Sequence, residues 1–297
     1  MKSITKRPKI ASVISYCSLD RAFLPHVVEH ARAFSEQILI VLSDRRFCGT
    51  KEDHGSLFWQ YPDCNFIQYE YTPERLYGTD VCYDPDDLRL GHHWHNTPRL
   101  VGSYFLGDDI DWVAFIDADE VIDSVAMNRW LESGALENSC GHRLSAYRYF
   151  REPSLRAKEI SDTALLMKKA CATPQVLLNL KERSGMVSDL KGRRNVLGKD
   201  GLPMVHHYSW VRSKENMLSK IKCWGHAQEN NYKERIEREM SQPFNGKDFI
   251  HGFEYEKVQP FIDPFQTLEL PIKDKAMVHH VNPMLIFNLE VYRQYVL

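Results

Sequence analysis

Three short runs of apolar residues, each followed by polar residues, constrain the fold of this chain more than any other feature. They are IASVIS starting at Ile10, ILIVL starting at Ile38 and WVAFI starting at Trp112. Runs of this length are typical of strands that are buried on both faces of a parallel sheet. Helical patterns lie between them, so we expect strands and helices to alternate along the chain.

This alternation extends over roughly the first 125 residues. FLPHVVEHARAF has a helical period and is expected to begin its helix near Pro25. NFIQYEYTPE predicts a strand, and Thr97 followed by Pro98 predicts the N-cap and first residue of a helix. The order β-α-β-β-α-β predicts an α/β sandwich with a mostly parallel sheet. Ligands of such sheets bind beyond the carboxyl ends of the strands.

The remaining chain continues the same domain. HRLSAYRYF predicts another strand, and RSKENMLSKIKCWGHAQE predicts a helix. No repeat and no long linker divides the sequence. We therefore predict one domain over residues 1–230 and a C-terminal helical extension over residues 231–297 that packs on it.

Composition excludes several classes of protein. The 43% hydrophobic and 26% charged residues are ordinary for a folded protein and exclude disorder. A net charge of -2 gives no general attraction to nucleic acid or to an anionic membrane. No apolar run approaches the ~20 residues that span a bilayer. Seven dispersed cysteines favour reduced thiols, so we expect a cytoplasmic protein, with peripheral membrane association still compatible with the sequence.

The segment FIDADE is the sharpest chemical feature. Side chains alternate along a strand, so Asp117 and Asp119 are expected on one face, with Ala118 between them, at the carboxyl end of the third apolar run. Two adjacent carboxylates favour a hard divalent cation, Mg²⁺ or Mn²⁺, which also binds phosphate oxygens. The alternative is a solvated acidic turn that caps the next helix.

Three separate segments resemble one family of enzymes. DWVAFIDADE resembles the DxD motif of GT-A type glycosyltransferases of the family-two-like branch. SLDRAFLPHVVEHARAFSEQILIV is similar to the L-P-x-W-x-x-x-H segment of that branch, with His30 present and valines where Trp is commoner. MVHHYSWVRSKENMLSKIKCWGH resembles segments of viral and bacterial members, so the resemblance covers about residues 9 to 226.

The resemblance implies a GT-A (Rossmann-like) α/β/α sandwich that binds a nucleotide sugar. It places Ser15, Tyr16 and Cys17 beside the nucleobase, and Asp44 near the base or ribose. It also implies that Asp117, Ala118 and Asp119 form the segment that binds the metal and the diphosphate. On physical grounds alone, the first two groups are turns at strand ends, and a structural role is equally compatible with them.

Histidines form two further clusters. In the GT-A pattern a downstream histidine completes the metal site. Because side chains alternate along a strand, only one of His206 and His207 can face this site. We favour His207. We expect His92, His93 and His95 to lie in a loop that lines the crevice. A zinc hydrolase with three histidines is an alternative, although no H-E-x-x-H motif is present.

Several basic residues are candidates for binding phosphate. A guanidinium at Arg99, on the helix before the DxD strand, is expected to meet a phosphate or the carboxylates. Arg212, Lys214 and Lys220 follow the histidine pair where positive charge would stabilise a leaving diphosphate, and Lys220 is the catalytic candidate. Arg193 and Arg194 form a further basic pair in a predicted loop. The ordinary explanation for most of them is a solvated helix face.

An inverting transferase needs a carboxylate that deprotonates the acceptor hydroxyl. We predict Asp189 for this role, because it lies between the DxD motif and the histidine pair, where this fold usually places its base. Asp162 and Glu182 are the competing candidates. The aromatic rings of Tyr208, Trp210 and Trp224 are candidates for stacking on a sugar, or are core residues.

These features together predict a metal-dependent glycosyltransferase that uses Mn²⁺ or Mg²⁺ and transfers a sugar from a nucleotide sugar to a glycan or another hydroxyl acceptor. The expected donor is a UDP-sugar. A sugar nucleotidyltransferase is one alternative, but the first-strand loop in ISYCSLDRAF has no glycine to cradle a triphosphate. A carbohydrate-binding or protein-binding module on the same scaffold is the non-enzymatic alternative.

Overall fold

The computed structural model describes residues 7–71, 88–136, 139–178, 182–223, 231–265 and 275–281. Its core is one large mixed sheet with helices on both faces. The strands are β1 (Ile10–Tyr16), β2 (Gln37–Ser43), β3 (Asn65–Tyr69), β4 (Trp112–Asp117), β5 (Glu120–Ile122), β6 (Gly141–Phe150), β7 (Glu152–Lys168), β8 (Arg193–Val196), β9 (Val205–Trp210), β10 (Tyr255–Lys257) and β11 (Met277–Val281).

Eight α-helices lie in the described ranges. They are α1 (Leu24–Arg32), α2 (Leu57–Gln60), α3 (Leu88–Ser103), α4 (Ser124–Glu132), α5 (Pro174–Leu177), α6 (Glu182–Asp189), α7 (Lys214–Lys222) and α8 (Tyr232–Met240). None of these helices has both the length and the apolar character needed to cross a bilayer.

The sheet has the order β11-β3-β2-β1-β4-β7-β6-β9-β5, with β10 attached to β7 and β8 attached to β6. Strands β1, β2, β3 and β4 run parallel, so their carboxyl ends meet at one edge of the sheet. Among the pairings of described strands, six are parallel and four antiparallel. The predicted α/β class with a mostly parallel sheet is therefore confirmed.

The three apolar runs form β1, β2 and β4, as predicted. In β1, Ile10 and Ile14 belong to the core on one face of the sheet, whereas Ala11 and Val13 belong to the core on the other. This arrangement explains why the runs lack polar alternation, since both faces are covered. The predicted first helix is also present as α1, with Pro25 in its first turn.

The predicted start of α3 at Thr97 is wrong. The helix begins at Leu88, and Pro98 lies inside it. A proline in a helix interior lacks an N–H and breaks one backbone hydrogen bond. Side chains on both sides of Pro98 hydrogen-bond to carbonyl groups one turn earlier: the Thr97 hydroxyl donates to the carbonyl of His93 at 2.9 Å, and the Arg99 guanidinium donates to the carbonyl of His95 at 2.9 Å.

A glycine lets α3 lie close to the sheet. A Cβ atom at Gly102 would fall 2.5 Å from Cγ1 of Val13 and 3.0 Å from Cγ2 of Val41. Both distances are shorter than ordinary contacts, so a larger residue would push the helix away from β1 and β2. This close packing fixes the part of α3 that carries Arg99.

The C-terminal extension is not purely helical, and this part of the prediction is wrong. Within residues 231–297, α8 is a helix, but β10 pairs with β7 and β11 pairs with the edge strand β3. A separate apolar cluster joins α7 and α8 to the end of β6 and includes Phe150, Met217 and Ile236. The described part of this region therefore packs on the same sheet, and the rest of it lies outside the described residues.

Candidate active site

A cavity of about 300 Å³ opens at the carboxyl ends of the parallel strands. Residues at the ends of β1, β2 and β3 line one side of it, including Tyr16, Ser43 and Tyr69. Strands β6, β7 and β9 line the other side, and helices α6 and α7 contribute basic side chains. The DxD segment lies between the two sides, which is where ligands of open α/β sheets bind.

Asp117 is the last residue of β4 and is held by two arginines. Nη2 of Arg99 donates to its Oδ1 at 2.9 Å, and Nη2 of Arg183 lies 3.0 Å from its Oδ2. Nε2 of His95 lies 4.0 Å from the same Oδ2. Burial raises the pKa of Asp117, but the charges of Arg183, Arg99 and His95 outweigh burial and lower the pKa below its ordinary value. Asp117 is therefore an ionised carboxylate beside the cavity.

Strand β4 ends at Asp117, and the next two residues form a turn, so strand alternation is not the reason that both carboxylates reach the cavity. The backbone N–H of Ala118 donates to the carbonyl of Ser15 at 2.9 Å, and the Ala118 side chain is buried in the core. Asp119 lines the cavity with Asp117. The predicted convergence of the two carboxylates is thus present, but Ala118 does not line the cavity, contrary to its assignment as a ligand-binding residue.

Asp119 has three basic neighbours. Nζ of Lys220 donates to its Oδ2 at 2.6 Å, Nη2 of Arg212 lies 3.4 Å from the same oxygen, and Nε2 of His207 lies 3.5 Å from Oδ1. Burial raises the pKa of Asp119, whereas Lys220, His207 and Arg212 together lower it well below the ordinary value. The Asp119 carboxylate is only 5% exposed, so solvent screens its interactions with these three residues weakly.

Two local features bring these neighbours to Asp119. Strand β5 pairs with β9 so that Glu120 lies opposite His207, and the N–H of Tyr208 donates to the carbonyl of Asp119 at 2.8 Å. Helix α7 buries Met217, which directs Lys220 in its last turn toward the cavity. His207 faces the cavity, as predicted.

The other histidine of the pair faces away from the cavity. His206 stacks on Phe261 with ring centroids 3.8 Å apart, and its Nδ1 shares a hydrogen bond of 2.7 Å with the Tyr149 hydroxyl. Burial lowers the pKa of His206 to about 3, so this imidazole is neutral. Its role is to pack and to hydrogen-bond within the core.

A buried carboxylate next to the DxD segment was not predicted. Glu120 is completely buried and forms two hydrogen bonds of 2.8 Å with Nη1 of Arg183, and it also accepts the N–H of Asp117 at 3.1 Å. Arg183 therefore links two carboxylates, Asp117 and Glu120. The acidic residue in D-A-D-E was visible in the sequence, but its partner lies 63 positions further along the chain.

The predicted metal ligands do not form one three-residue site. Both oxygens of Asp117 face arginines, and the described residues contain no group of three or more His, Cys, Asp or Glu side chains able to hold a metal ion. Asp119 and His207 are a suitable pair, because Oδ1 and Nε2 are 3.5 Å apart and face the same cavity. Mg²⁺ and Mn²⁺ commonly take few protein ligands when phosphate oxygens supply the rest. The donor pair fits such an ion.

The predicted nucleotide residues divide into two sets. Ser15, Tyr16 and Cys17 line the cavity at the end of β1. Asp44 does not line it, because its Oδ1 accepts the N–H of Tyr71 at 2.8 Å and so connects the ends of β2 and β3. The Asp44 prediction is therefore corrected to a structural role in this turn.

The histidines before the DxD strand lie in α3 and not in a loop, which corrects that prediction. His95 lines the cavity, whereas His93 is buried in the protein and burial lowers its pKa to about 3. The three side chains are part of a helix whose successive residues point in different directions, so only one of them reaches the site. No three-histidine zinc site is formed among the described residues.

The first choice for the catalytic base is not at the site. Asp189 is exposed at the end of α6 and does not line the cavity. Asp162 on β7 does line it, and accepts hydrogen bonds from Arg194 at 2.8 and 3.1 Å. The side chain of Glu182 lies outside the described part of the structure.

Asp162 is ionised. Burial raises its pKa, but the hydrogen bond from Arg194 and the charge of Arg143 outweigh burial and lower the pKa below its ordinary value. Of the predicted basic pair, Arg194 thus neutralises a carboxylate, while Arg193 is exposed. Both lie on strand β8 and not in a loop.

Other predicted candidates have different positions. Arg212 is buried and binds Asp20 and the carbonyl of Leu19, so it supports the loop after β1, and Lys214 does not line the cavity. Trp210 lines the cavity, Tyr208 is buried in the core, and Trp224 lies outside the described residues.

Six basic residues that line the cavity were not predicted from the sequence. They are Arg45 and Arg46 after β2, Arg143 and Arg148 on β6, Arg183 on α6 and His251 after α8. The two arginines in HRLSAYRYF were the available signal for β6, because a buried strand rarely carries arginine without a partner. Nothing local distinguished Arg183 or His251 from surface residues.

No protein-family model matches the sequence, and no curated protein matches it. Among solved structures, 4-diphosphocytidyl-2C-methyl-D-erythritol synthase of Anaerococcus prevotii is similar with a TM-score of 0.37 and 9% identity, over 72% of this chain and 97% of the other. A Mycobacterium tuberculosis protein in complex with manganese has a TM-score of 0.38 and 10% identity, over 72% and 98%.

The catalytic domain of Drosophila β1,4-galactosyltransferase 7, in complex with xylobiose, has a TM-score of 0.32 and 12% identity, over 66% of this chain and 70% of the other. These likenesses are distant, and none of them assigns a reaction or a ligand to this chain.

Proposed function

We propose that this protein is a metal-dependent glycosyltransferase of the GT-A type that transfers a sugar from a nucleotide sugar, with a UDP-sugar as the expected donor, to a hydroxyl acceptor. One observation carries the proposal. Asp119 lies between Lys220 and His207 at the carboxyl edge of a parallel sheet, in the same cavity as Asp117. This arrangement combines a carboxylate, an imidazole and a cation where a diphosphate would bind.

The end of β1 supplies the nucleoside side of the proposed site. Ser15, Tyr16 and Cys17 line the cavity there, beside Ser43 at the end of β2. The Ser15 hydroxyl oxygen is buried and has no hydrogen-bond partner within the described residues. A buried polar atom of this kind favours a ligand that completes its hydrogen bonds.

Asp119 and His207 are the residues that would hold a divalent cation. Such an ion supplies a Lewis acid that stabilises negative charge on the leaving diphosphate when it is bound. Lys220 adds a protein charge at the same place, since its Nζ is already fixed by Asp119 and by the Ser209 hydroxyl at 2.9 Å. A cation held in advance stabilises developing charge without reorganisation.

Asp162 is the base in this proposal, because it lines the cavity whereas Asp189 does not. An ionised carboxylate can accept the proton of an acceptor hydroxyl. Asp117 is assigned to the donor side of the site, since it lines the cavity and Arg99 and Arg183 fix its carboxylate there.

A binding experiment tests the proposal. Thermal unfolding of the wild-type protein is followed with UDP, GDP, CDP or ADP, each with Mn²⁺ or with a chelator. We expect one nucleotide to stabilise the protein only with Mn²⁺, by about 2.7 kcal/mol at a ligand concentration 100 times Kd. The Asp109→Asn variant is the control, because Asp109 forms an exposed ion pair with Lys9, does not line the cavity and should leave the response unchanged. No shift with any nucleotide, for a protein shown to be folded, would contradict the proposal.

A further inference from the structure

Strand β6 carries two arginines on the side of the cavity that lies away from the predicted nucleoside residues. Arg148 is paired in register with His207 of the neighbouring strand, and both side chains line the cavity. In the sheet, β6 is separated from β1 by β4 and β7. Three steps of about 4.8 Å separate β6 from β1 by roughly 14 Å across the sheet. This part of the cavity is suited to the donor sugar or the acceptor.

Positive charge exceeds negative charge in this part of the cavity. Asp162 accepts two hydrogen bonds from Arg194, and Nε of Arg143 lies 3.3 Å from the same carboxylate. Two guanidinium groups therefore share one carboxylate. Because a carboxylate carries a single charge, one of these positive charges is not balanced by Asp162.

Arg148 forms no direct ion pair among the described residues. Its Nε donates to the Ser161 hydroxyl at 2.8 Å, and its guanidinium carbon lies 5.9 Å from the centre of the Phe253 ring. Burial lowers the pKa of Arg148 and outweighs the opposing charges of Glu120 and Asp162, although an arginine remains charged at neutral pH. A partly buried cation without a direct ion pair is costly, and an anion that enters the cavity would reduce this cost.

We propose that Arg148, with Arg143 on the same strand, binds an oxyanion of the substrate other than the donor diphosphate: a carboxylate or phosphate group on the donor sugar or on the acceptor. The planar guanidinium matches both groups, because it can donate two parallel hydrogen bonds to them. This inference rests on the proposed transferase function and specifies its substrate class. Two aromatic residues provide apolar surface here. The Phe253 ring lies near Arg148, and Trp210 lines the cavity.

The test measures equilibrium binding to four proteins: the wild type, Arg148→Gln, Arg148→Lys and Arg156→Gln. Arg156 is the matched control, because it pairs with Glu256 and does not line the cavity. The first probes are UDP, UDP-glucose and UDP-glucuronic acid with Mn²⁺, or the corresponding compounds of whichever nucleotide binds. With the nucleoside diphosphate saturating, methyl glucoside, methyl glucuronide and glucose 6-phosphate then probe the acceptor side.

We expect the anionic member of one probe set to bind the wild type about 10- to 100-fold more tightly than its neutral counterpart. Arg148→Gln should lose this preference, Arg148→Lys should keep part of it, and Arg156→Gln should behave as the wild type. A preference among the donors identifies the sugar as the source of the anion, and a preference among the acceptor probes identifies the acceptor.

Two results would overturn the inference alone. One is normal binding of the nucleoside diphosphate with no preference for anionic probes in either set. The other is an equal loss of UDP affinity in Arg148→Gln, which would make Arg148 a ligand of the diphosphate. If no nucleoside diphosphate binds the wild type, the proposed function fails and this inference fails with it. Melting curves and circular dichroism of each variant show whether it is folded.

Discussion

Replacing Asp119 with asparagine is expected to slow release of the nucleoside diphosphate from a nucleotide sugar by about 100-fold or more. The substitution removes the charge that pairs with Lys220 and the proposed ligand that lies beside His207. It leaves a side chain of the same size, so the shape of the turn after β4 is retained. The measurement is the initial rate of nucleoside diphosphate release with Mn²⁺ at saturating donor.

The same substitution also affects stability, because Asp119 is buried although it lines the cavity. After the substitution, Lys220 and Arg212 still have the carboxylate of Asp20 as an ion-pair partner. Nζ of Lys220 lies 3.7 Å from Oδ1 of Asp20, and Arg212 binds Asp20 directly. We therefore expect a loss of about 1–3 kcal/mol in the free energy of unfolding, with the fold retained.

The control for this prediction is Asp109→Asn, which removes the same charge from an exposed ion pair with Lys9. It should change neither the rate nor the melting temperature appreciably. A folded Asp119→Asn protein with the wild-type rate would show that Asp119 has no part in the reaction. Complete loss of folding would show that this residue is chiefly structural.

Replacing Arg183 with glutamine is expected to produce the largest loss of stability, about 3–5 kcal/mol. Arg183 donates two hydrogen bonds of 2.8 Å to the completely buried Glu120 and lies 3.0 Å from Asp117. Without it, Glu120 keeps the N–H of Asp117 but loses its guanidinium partner. An unpaired buried carboxylate is costly, which is why removing one member of a buried pair is more harmful than removing both.

Urea unfolding of Arg183→Gln measures this effect. Arg194→Gln is the matched control, because Arg194 is half exposed and its partner Asp162 retains Arg143. We expect the control to lose no more than about 1 kcal/mol. A second comparison, Arg183→Gln with Glu120→Gln, should be less destabilised than Arg183→Gln alone. If the wild type and Arg183→Gln unfold at the same urea concentration, Arg183 does not stabilise the fold through its contacts with Asp117 and Glu120.

The strands that carry the site could be predicted because their apolar sequences are typical of strands that are buried on both faces. The runs at β1, β2 and β4 are nearly all apolar, and DADE follows directly after the third of them. Position at the carboxyl end of a buried parallel strand was therefore enough to place Asp117 and Asp119 near a ligand crevice. Strand alternation also predicted that only one of His206 and His207 faces the site, although it did not determine which one.

Other features depend on contacts between distant parts of the chain. Thr97 and Pro98 have the composition of a helix start, but the chain continues as α3 through the proline, with side-chain contacts to nearby carbonyl groups. Asp189 lies at a suitable position in the sequence, yet α6 ends with its side chain exposed. The pairing of Arg183 with Glu120 and the addition of β11 to the sheet edge arise only from tertiary packing, so no local pattern indicates them.

The central claim is that this cavity transfers sugars from a nucleotide donor, and product analysis of donor breakdown tests it most directly. The wild-type protein is incubated with UDP-, GDP-, CDP- and ADP-sugars, with Mn²⁺ or with chelator, and the products are separated. We expect slow release of a nucleoside diphosphate from one donor, only with metal, because a glycosyltransferase transfers its sugar to water when no acceptor is present. Release of a nucleoside monophosphate with a sugar phosphate would indicate a nucleotidyltransferase, and binding without any breakdown would indicate a binding module; either result would contradict the proposed function.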